Sequence, residues 1–240
     1  MSQIFINRVC AWAPGINGSA EWDEWALGNK SISQGGKGPD LSFAEPMFRR
    51  RLSQISKMTV QVLHDLLPLE NETKIFFFSF RGELSRQYQI NKMLIEEKTL
   101  SPALFSLSVF NAPVALATMA LGHKGGYSAL YPADNCFNTG LIAAKAALLG
   151  NAASVSSASM LATSMSSASM LSEIAFIYAD EEVQPEYNSF FDVPPPALSF
   201  GLLLSKTQCD NSIPLPPCAE QETPFLYLKK ILGGNIHVSP

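Results

Sequence analysis

Charge is scarce in this 240-residue chain, in which 16% of residues are Asp, Glu, Lys or Arg and the net charge is -4. Proteins that wrap nucleic acid draw on clustered Lys and Arg, so that class of partner is excluded. The one basic cluster is Arg49, Arg50, Arg51 and Lys57, and between Gly125 and Ser205 the only cation is Lys145, set against Asp134, Glu173, Asp180, Glu181, Glu182, Glu186 and Asp192. Histidine is rarer still: His64, His123 and His237 are the full set. The cysteines Cys10, Cys136, Cys209 and Cys218 show neither a CxxC pair nor zinc-ligand spacing, so no metal and no disulfide framework is expected, and the reading is a reduced, cytoplasmic protein. Long apolar runs are missing too. Gly140 to Gly150 is the longest and carries Lys145, well short of the roughly 20 residues a membrane helix needs, so no span is expected. Chain entry is the strand-like Gln3-Ile4-Phe5-Ile6, without the cationic and apolar segments of a leader. Absent as well are the zinc helix motif, GxSxG, GxGxxG and the kinase signatures, and the glycine-rich run around Lys30 and Lys37 lacks P-loop spacing. No cofactor is expected.

What is present is apolar material: 47% of residues are hydrophobic, enough for one large domain that folds without staples. Gln3 to Trp12 reads as a strand ending at Ala13-Pro14-Gly15. Phe48 to Leu67 places apolar residues at spacings of three and four, which predicts one helix with the arginines near its start. Ile75-Phe76-Phe77-Phe78-Ser79-Phe80 has no alternation, as a strand buried on both faces would. Asn111 before Ala112-Pro113 predicts a side-chain cap on a helix that stops at Gly122. Tyr127 to Tyr131 reads as a strand, Asp134 and Asn135 as caps, and Thr139 to Leu149 as a helix ending at Gly150. Ser156 to Leu161 recurs as Ser166 to Leu171, a two-copy repeat read as a surface connection. Glu173 to Tyr178 and Ala197 to Ser205 are further buried strands, and Phe225 to Leu232 is a short apolar helix or strand. Strands alternating with helices give an α/β layered fold.

Ser101-Pro102, Asn111 opening an Ala-rich helix, Gly122-His123-Lys124-Gly125, a strand and then Thr139-Gly140-Leu141 succeed one another. In that order they resemble the N-terminal half of the β-ketoacyl synthases, the condensing enzymes of the thiolase fold. Arg49-Arg50-Arg51-Leu52-Ser53, Phe80-Arg81-Gly82-Glu83, Phe105 to Asn111 and Tyr178-Ala179-Asp180-Glu181 resemble, within that family, the short chain length factors of aryl polyene pathways. The resemblance implies a thiolase-like αβαβα fold truncated relative to a full condensing enzyme, with residues 1–206 forming the domain and 207–240 completing it.

The family carries its acyl group on a cysteine at a helix N-terminus, where the thiol pKa is lowered. Counting from Asn111 and Gly122 puts Asp134 at that place, and counting back from Thr139-Gly140 puts Phe137 there. Neither is a thiol, and the family's paired histidine motifs do not appear. The resemblance therefore implies a non-catalytic chain length factor that pairs with a β-ketoacyl synthase and closes its acyl tunnel. Phe80, Leu84, Tyr88 and Phe110 would line that tunnel, Tyr127 and Tyr131 would bound the strand pairing across the pseudo-twofold, and Arg49, Arg50 and Arg51 would face an acidic acyl carrier protein. Two alternatives stand beside this: a small acyltransferase or condensing enzyme using Cys136, and a homodimeric scaffold.

Overall fold

The computed structural model of the chain describes residues 3–35, 38–132, 134–150, 171–234 and 238. Its centre is set by three segments too apolar to face water on either side: β2 (Lys74–Phe78), β4 (Glu173–Asp180) and β5 (Leu198–Ser205). They lie in a six-stranded sheet of order β3-β2-β4-β5-β1-β6, with β1 at Phe5–Trp12, β3 at Tyr127–Leu130 and β6 at Ile213–Pro214. β3, β2 and β4 are mutually parallel, whereas β5 runs antiparallel to both β4 and β1. β3 is an edge.

Helices cover both faces. On one lie α1 (Gly18–Leu27), α7 (Phe137–Leu149) and α8 (Pro224–Leu232), which bury Trp22, Trp25, Phe137, Leu141, Tyr227 and Leu228 against Phe76, Phe78, Phe176, Tyr178 and Phe200. On the other lie α3 (Gln54–Asp65) and α6 (Ala112–Leu121), packed on Ile75, Phe77, Ala175, Ile177 and Ala179. Alternate strand residues are large toward α7 and mostly small toward α3, and a Cβ at Gly201 would meet Val62 at 2.7 Å, so the bare backbone lets α3 seat closely on β5. The result is an α/β/α layering around one sheet. Tyr227 of α8 belongs to the same core as β2 and β4.

Two expectations need correction, and one open alternative is decided. The stripe from Phe48 to Leu67 forms two helices, α2 (Pro46–Arg49) and α3, because Ser53 leaves helical geometry to accept the Ser56 amide at 3.2 Å. Asn111 precedes α6 but does not cap it: its side-chain amide donates to the Tyr127 hydroxyl at 3.1 Å, tying the helix start to the edge strand. Phe225 to Leu232 resolves as helix, with Thr223 supplying the cap. The two-copy repeat lies, apart from Leu171, outside the described residues.

Candidate functional site

Parallel pairing of β2 with β4 puts Phe78 beside Tyr178, so the segments leaving the two strands meet at the carboxyl end of the sheet. Asp180, 1% exposed, accepts from the Ser79 hydroxyl at 2.7 Å, the Tyr178 hydroxyl at 2.9 Å and the Arg81 amide at 3.0 Å. Ser79 in turn accepts the Gly82 amide at 2.7 Å. With these donors and the Arg81 guanidinium 3.9 Å away, the buried carboxylate fixes the turn from β2 into α4 (Leu84–Lys92). Burial and the neighbouring Asp180 push the Tyr178 hydroxyl well up, so it stays a donor.

Two further carboxyls lie at helix N-termini. Glu181 accepts the Ser85 amide of α4 at 2.7 Å and the Ile55 amide of α3, and burial pushes its pKa up to about 7 despite these bonds. Glu83 accepts from Ser53 at 2.9 Å and Ser56 at 2.6 Å, and its other oxygen lies 3.2 Å from Arg86 Nε; burial raises its pKa too. Arg86 then donates to the carbonyls of Leu107, at 3.0 Å, and Arg51. Three of the four segments that carry the family resemblance thus meet at one buried ion pair, Glu83–Arg86, and the fourth places Glu181 within its electrostatic reach. A polar cavity of about 650 Å³ opens beside Glu181, with Gln34, Gln54, Ser85, Glu182 and Gln184 in its wall.

The start of α7, at the same carboxyl ends, is filled. Phe137 is 2% exposed and its ring meets Phe78, Phe176, Tyr178, Phe200 and Tyr227 at centroid distances of 5.5–6.0 Å. Asp134 is exposed and accepts the Cys136 amide at 3.1 Å and the Thr139 hydroxyl at 3.2 Å. Cys136, the residue before the helix, donates its thiol to the Glu220 carbonyl at 2.9 Å. No described histidine lies at this end of the sheet. His123 contacts the Thr73 carbonyl at 2.7 Å, at the start of β2, and His64 stacks on Phe43 at the far end of α3. His237 lies outside the described residues. Among those described, no cluster of His, Cys, Asp or Glu is arranged for a metal.

Phe110 sits between the β2–α4 turn and the edge strand, 5.6 Å from the Tyr131 ring and 6.1 Å from that of Phe77. Tyr131 is 64% exposed just past β3, and Met119, Phe105, Val109, Leu94 and Ile95 are exposed as well. Phe80 packs edge-on against Phe78 at 5.3 Å, Leu84 is half-buried at the start of α4, and Tyr88 donates to Glu186 at 2.7 Å. The Tyr127 hydroxyl accepts from Asn111. Arg49 pairs with Asp40 at 3.5 Å, while Arg50 and Arg51 are exposed in the linker between α2 and α3.

Residues 22–156 match the model of the β-ketoacyl synthase N-terminal domain, more than half of the chain. The chain belongs to the β-ketoacyl synthase family. No curated protein matches it in sequence. Among solved structures it is similar to a chain of the complex of the ketosynthase ApeO with its chain length factor ApeC from Xenorhabdus doucetiae, at 25% identity and a TM-score of 0.67, over 85% of this chain and 79% of that one. The ketosynthase from module 6 of the bacillaene synthase of Bacillus subtilis shares the fold at 13% identity and a TM-score of 0.55, over 84% of this chain but 36% of its own length. The thiolase-like fold is thus present in shortened form.

Within a β-ketoacyl synthase fold, the strand-to-helix turn from β3 into α7 is where a nucleophile is expected. The structure brings Asp134, Cys136 and Phe137 together there, with Phe137 turned into the core and Asp134 closing the turn. Sequence reasoning missed Glu83, Arg86 and Glu181 as a unit. A signal did exist: charged residues embedded in otherwise apolar strand ends. Glu83 and Arg86 stand three apart at the start of one helix, but the Ser53, Ser56, Arg51 and Leu107 atoms that hold them come from other segments, and Glu181 reaches Ser85 across 96 positions.

Proposed function

We propose that this protein is a non-catalytic chain length factor: it pairs with a β-ketoacyl synthase in the cytoplasm and shapes the far end of its acyl tunnel during polyene-type chain extension. The observation that carries this reading is Phe137. A condensing enzyme needs an accessible thiolate at the start of the helix after β3; counted back from Thr139-Gly140 that place is Phe137, a buried ring locked among five other aromatics, and counted from Asn111 and Gly122 it is Asp134, which is no thiol either. Similarity to a chain of a ketosynthase–chain length factor complex supports the partner role.

The edge strand β3 supports the mode of pairing. An unpaired edge flanked by exposed Tyr131 and Met119 invites a second strand, and pairing across a pseudo-twofold would cover it. Phe110 lies beside Tyr131 at this edge, and Phe80, Leu84 and Tyr88 follow β2 on the turn and helix leaving it; together they would bound a tunnel arriving from the partner. Exposed Arg50 and Arg51 would steer an acidic acyl carrier protein.

Reconstituting the partner ketosynthase with its carrier protein, with and without this chain, tests the reading by mass spectrometry of the released products. The chain should be required for a defined product length and should itself acquire no acyl group. An acyl adduct on Cys136, or products indifferent to the chain, would contradict it.

A further inference from the structure

We propose that Cys136 and Cys218 form a reversible disulfide, a redox-sensitive modification site that staples the segment ahead of α8 to the start of α7. It stands independently of the partner role. Cys136 is the residue before α7, and its thiol donates to the Glu220 carbonyl at 2.9 Å, so the sulfur already touches the chain two residues past Cys218. The two thiols are near enough that charge on Cys136 raises the Cys218 pKa. Both are half-buried, within reach of a small disulfide from solution, whereas Cys10 is fully buried.

Each sulfur is carried by an anchored piece of chain. Asp134 accepts the Cys136 amide at 3.1 Å and the Thr139 hydroxyl at 3.2 Å, which sets the turn into α7. On the other side α8 holds the Cys218 segment: Tyr227 donates to the Pro216 carbonyl and Lys230 to the Pro217 carbonyl, both at 3.0 Å, and the Ala219 amide donates to Glu222 at 3.0 Å. Closure exchanges the weak thiol–carbonyl bond of Cys136 for a covalent one, and the chain between β6 and α8, which adjusts to it, contains no helix or strand.

Burial and the Glu222 carboxylate push the Cys218 thiol up to about 12, so Cys218 stays protonated and Cys136 reacts first. Cys136, as the thiolate, attacks one sulfur of a low-molecular-weight disulfide; a mixed disulfide forms and one small thiolate leaves. Cys218 then passes its proton to Glu222, its hydrogen-bond partner, as its sulfur attacks Cys136 Sγ and the second small thiolate departs. The leaving thiolates take up the two protons, so two protein thiols are oxidised and one small disulfide is reduced to two thiols. Reducing conditions keep the pair open and oxidising ones close it.

The experiment treats the folded full chain with oxidised glutathione, blocks remaining thiols by alkylation and maps the peptides by mass spectrometry. A linked Cys136–Cys218 peptide pair within one chain is expected, lost on treatment with dithiothreitol. Cys218→Ser should leave Cys136 as a lasting glutathione adduct, and Cys136→Ser should leave Cys218 an unmodified thiol. In urea the preference for this pair should disappear. A lasting glutathione adduct on Cys136 of the unsubstituted chain, linkage of either cysteine to Cys209 or to a second copy instead, no reaction at Cys136, or the same preference in urea would each overturn the proposal.

Discussion

Glu181 is the residue whose environment most constrains the chain's behaviour in solution. Burial lifts its pKa from the ordinary 4.5 to about 7. Between those values the folded chain keeps a proton that the unfolded chain has released, so this contribution is full below about pH 4.5 and is lost as pH rises to about 7, on the order of 3 kcal/mol in all. Glu83, raised in the same direction, adds to the slope. Denaturant melts from pH 4.5 to 7.5, a range chosen to span roughly these values, should show stability falling, and Glu181→Gln should flatten the fall. An equal slope in both proteins would contradict the assignment. Phe137 makes a second residue-scale prediction. Its truncation to Ala opens a cavity among five rings and should cost about 3–5 kcal/mol by chemical denaturation, whereas a loss under about 1 kcal/mol would show that the ring is not the core plug described.

At the scale of elements, the proposed interface lies on the edge strand β3. The Gly126 and Leu130 carbonyls accept from Ile75 and Ser79 of β2, so the alternate residues Tyr127 and Ala129 present their backbone groups to the open side. Ala129→Pro removes an outward donor without removing a bond to β2, a place where an edge strand tolerates proline. The variant should fold, by circular dichroism, yet lose co-purification with a ketosynthase partner; undiminished co-purification would place the contact elsewhere. Elements were legible where burial dictated composition. The runs at Ile75 and Ala197 can only be strands covered on both faces, and β2 and β5 are there. The division of α2 from α3 was not legible, since the apolar stripe continues across it and the break is made by Ser53 engaging Glu83, 30 positions away. Asn111 has the right chemistry for a cap, but the Tyr127 hydroxyl competes for it. The candidate site divides the same way: the absence of a cysteine at either counted position, Asp134 or Phe137, is read from the sequence, while the packing of Glu83 and Arg86 against Ser53, Ser56 and Leu107 depends on the fold and is not.

For the whole molecule, the described residues form one sheet with helices on both faces and an unpaired edge, and no described helix is long and apolar enough to cross a membrane. Leu94, Ile95, Phe105, Val109, Met119 and Tyr131 are exposed, apolar side chains of the kind that a protein interface covers. The central claim is that this surface belongs to a pair. The direct measurement is the native mass of this chain co-expressed, untagged, with a tagged ketosynthase encoded beside it. The account predicts a stoichiometric one-to-one complex, this 26.1 kDa chain plus one ketosynthase. A chain that stays behind as a soluble, well-folded monomer or homodimer would contradict it.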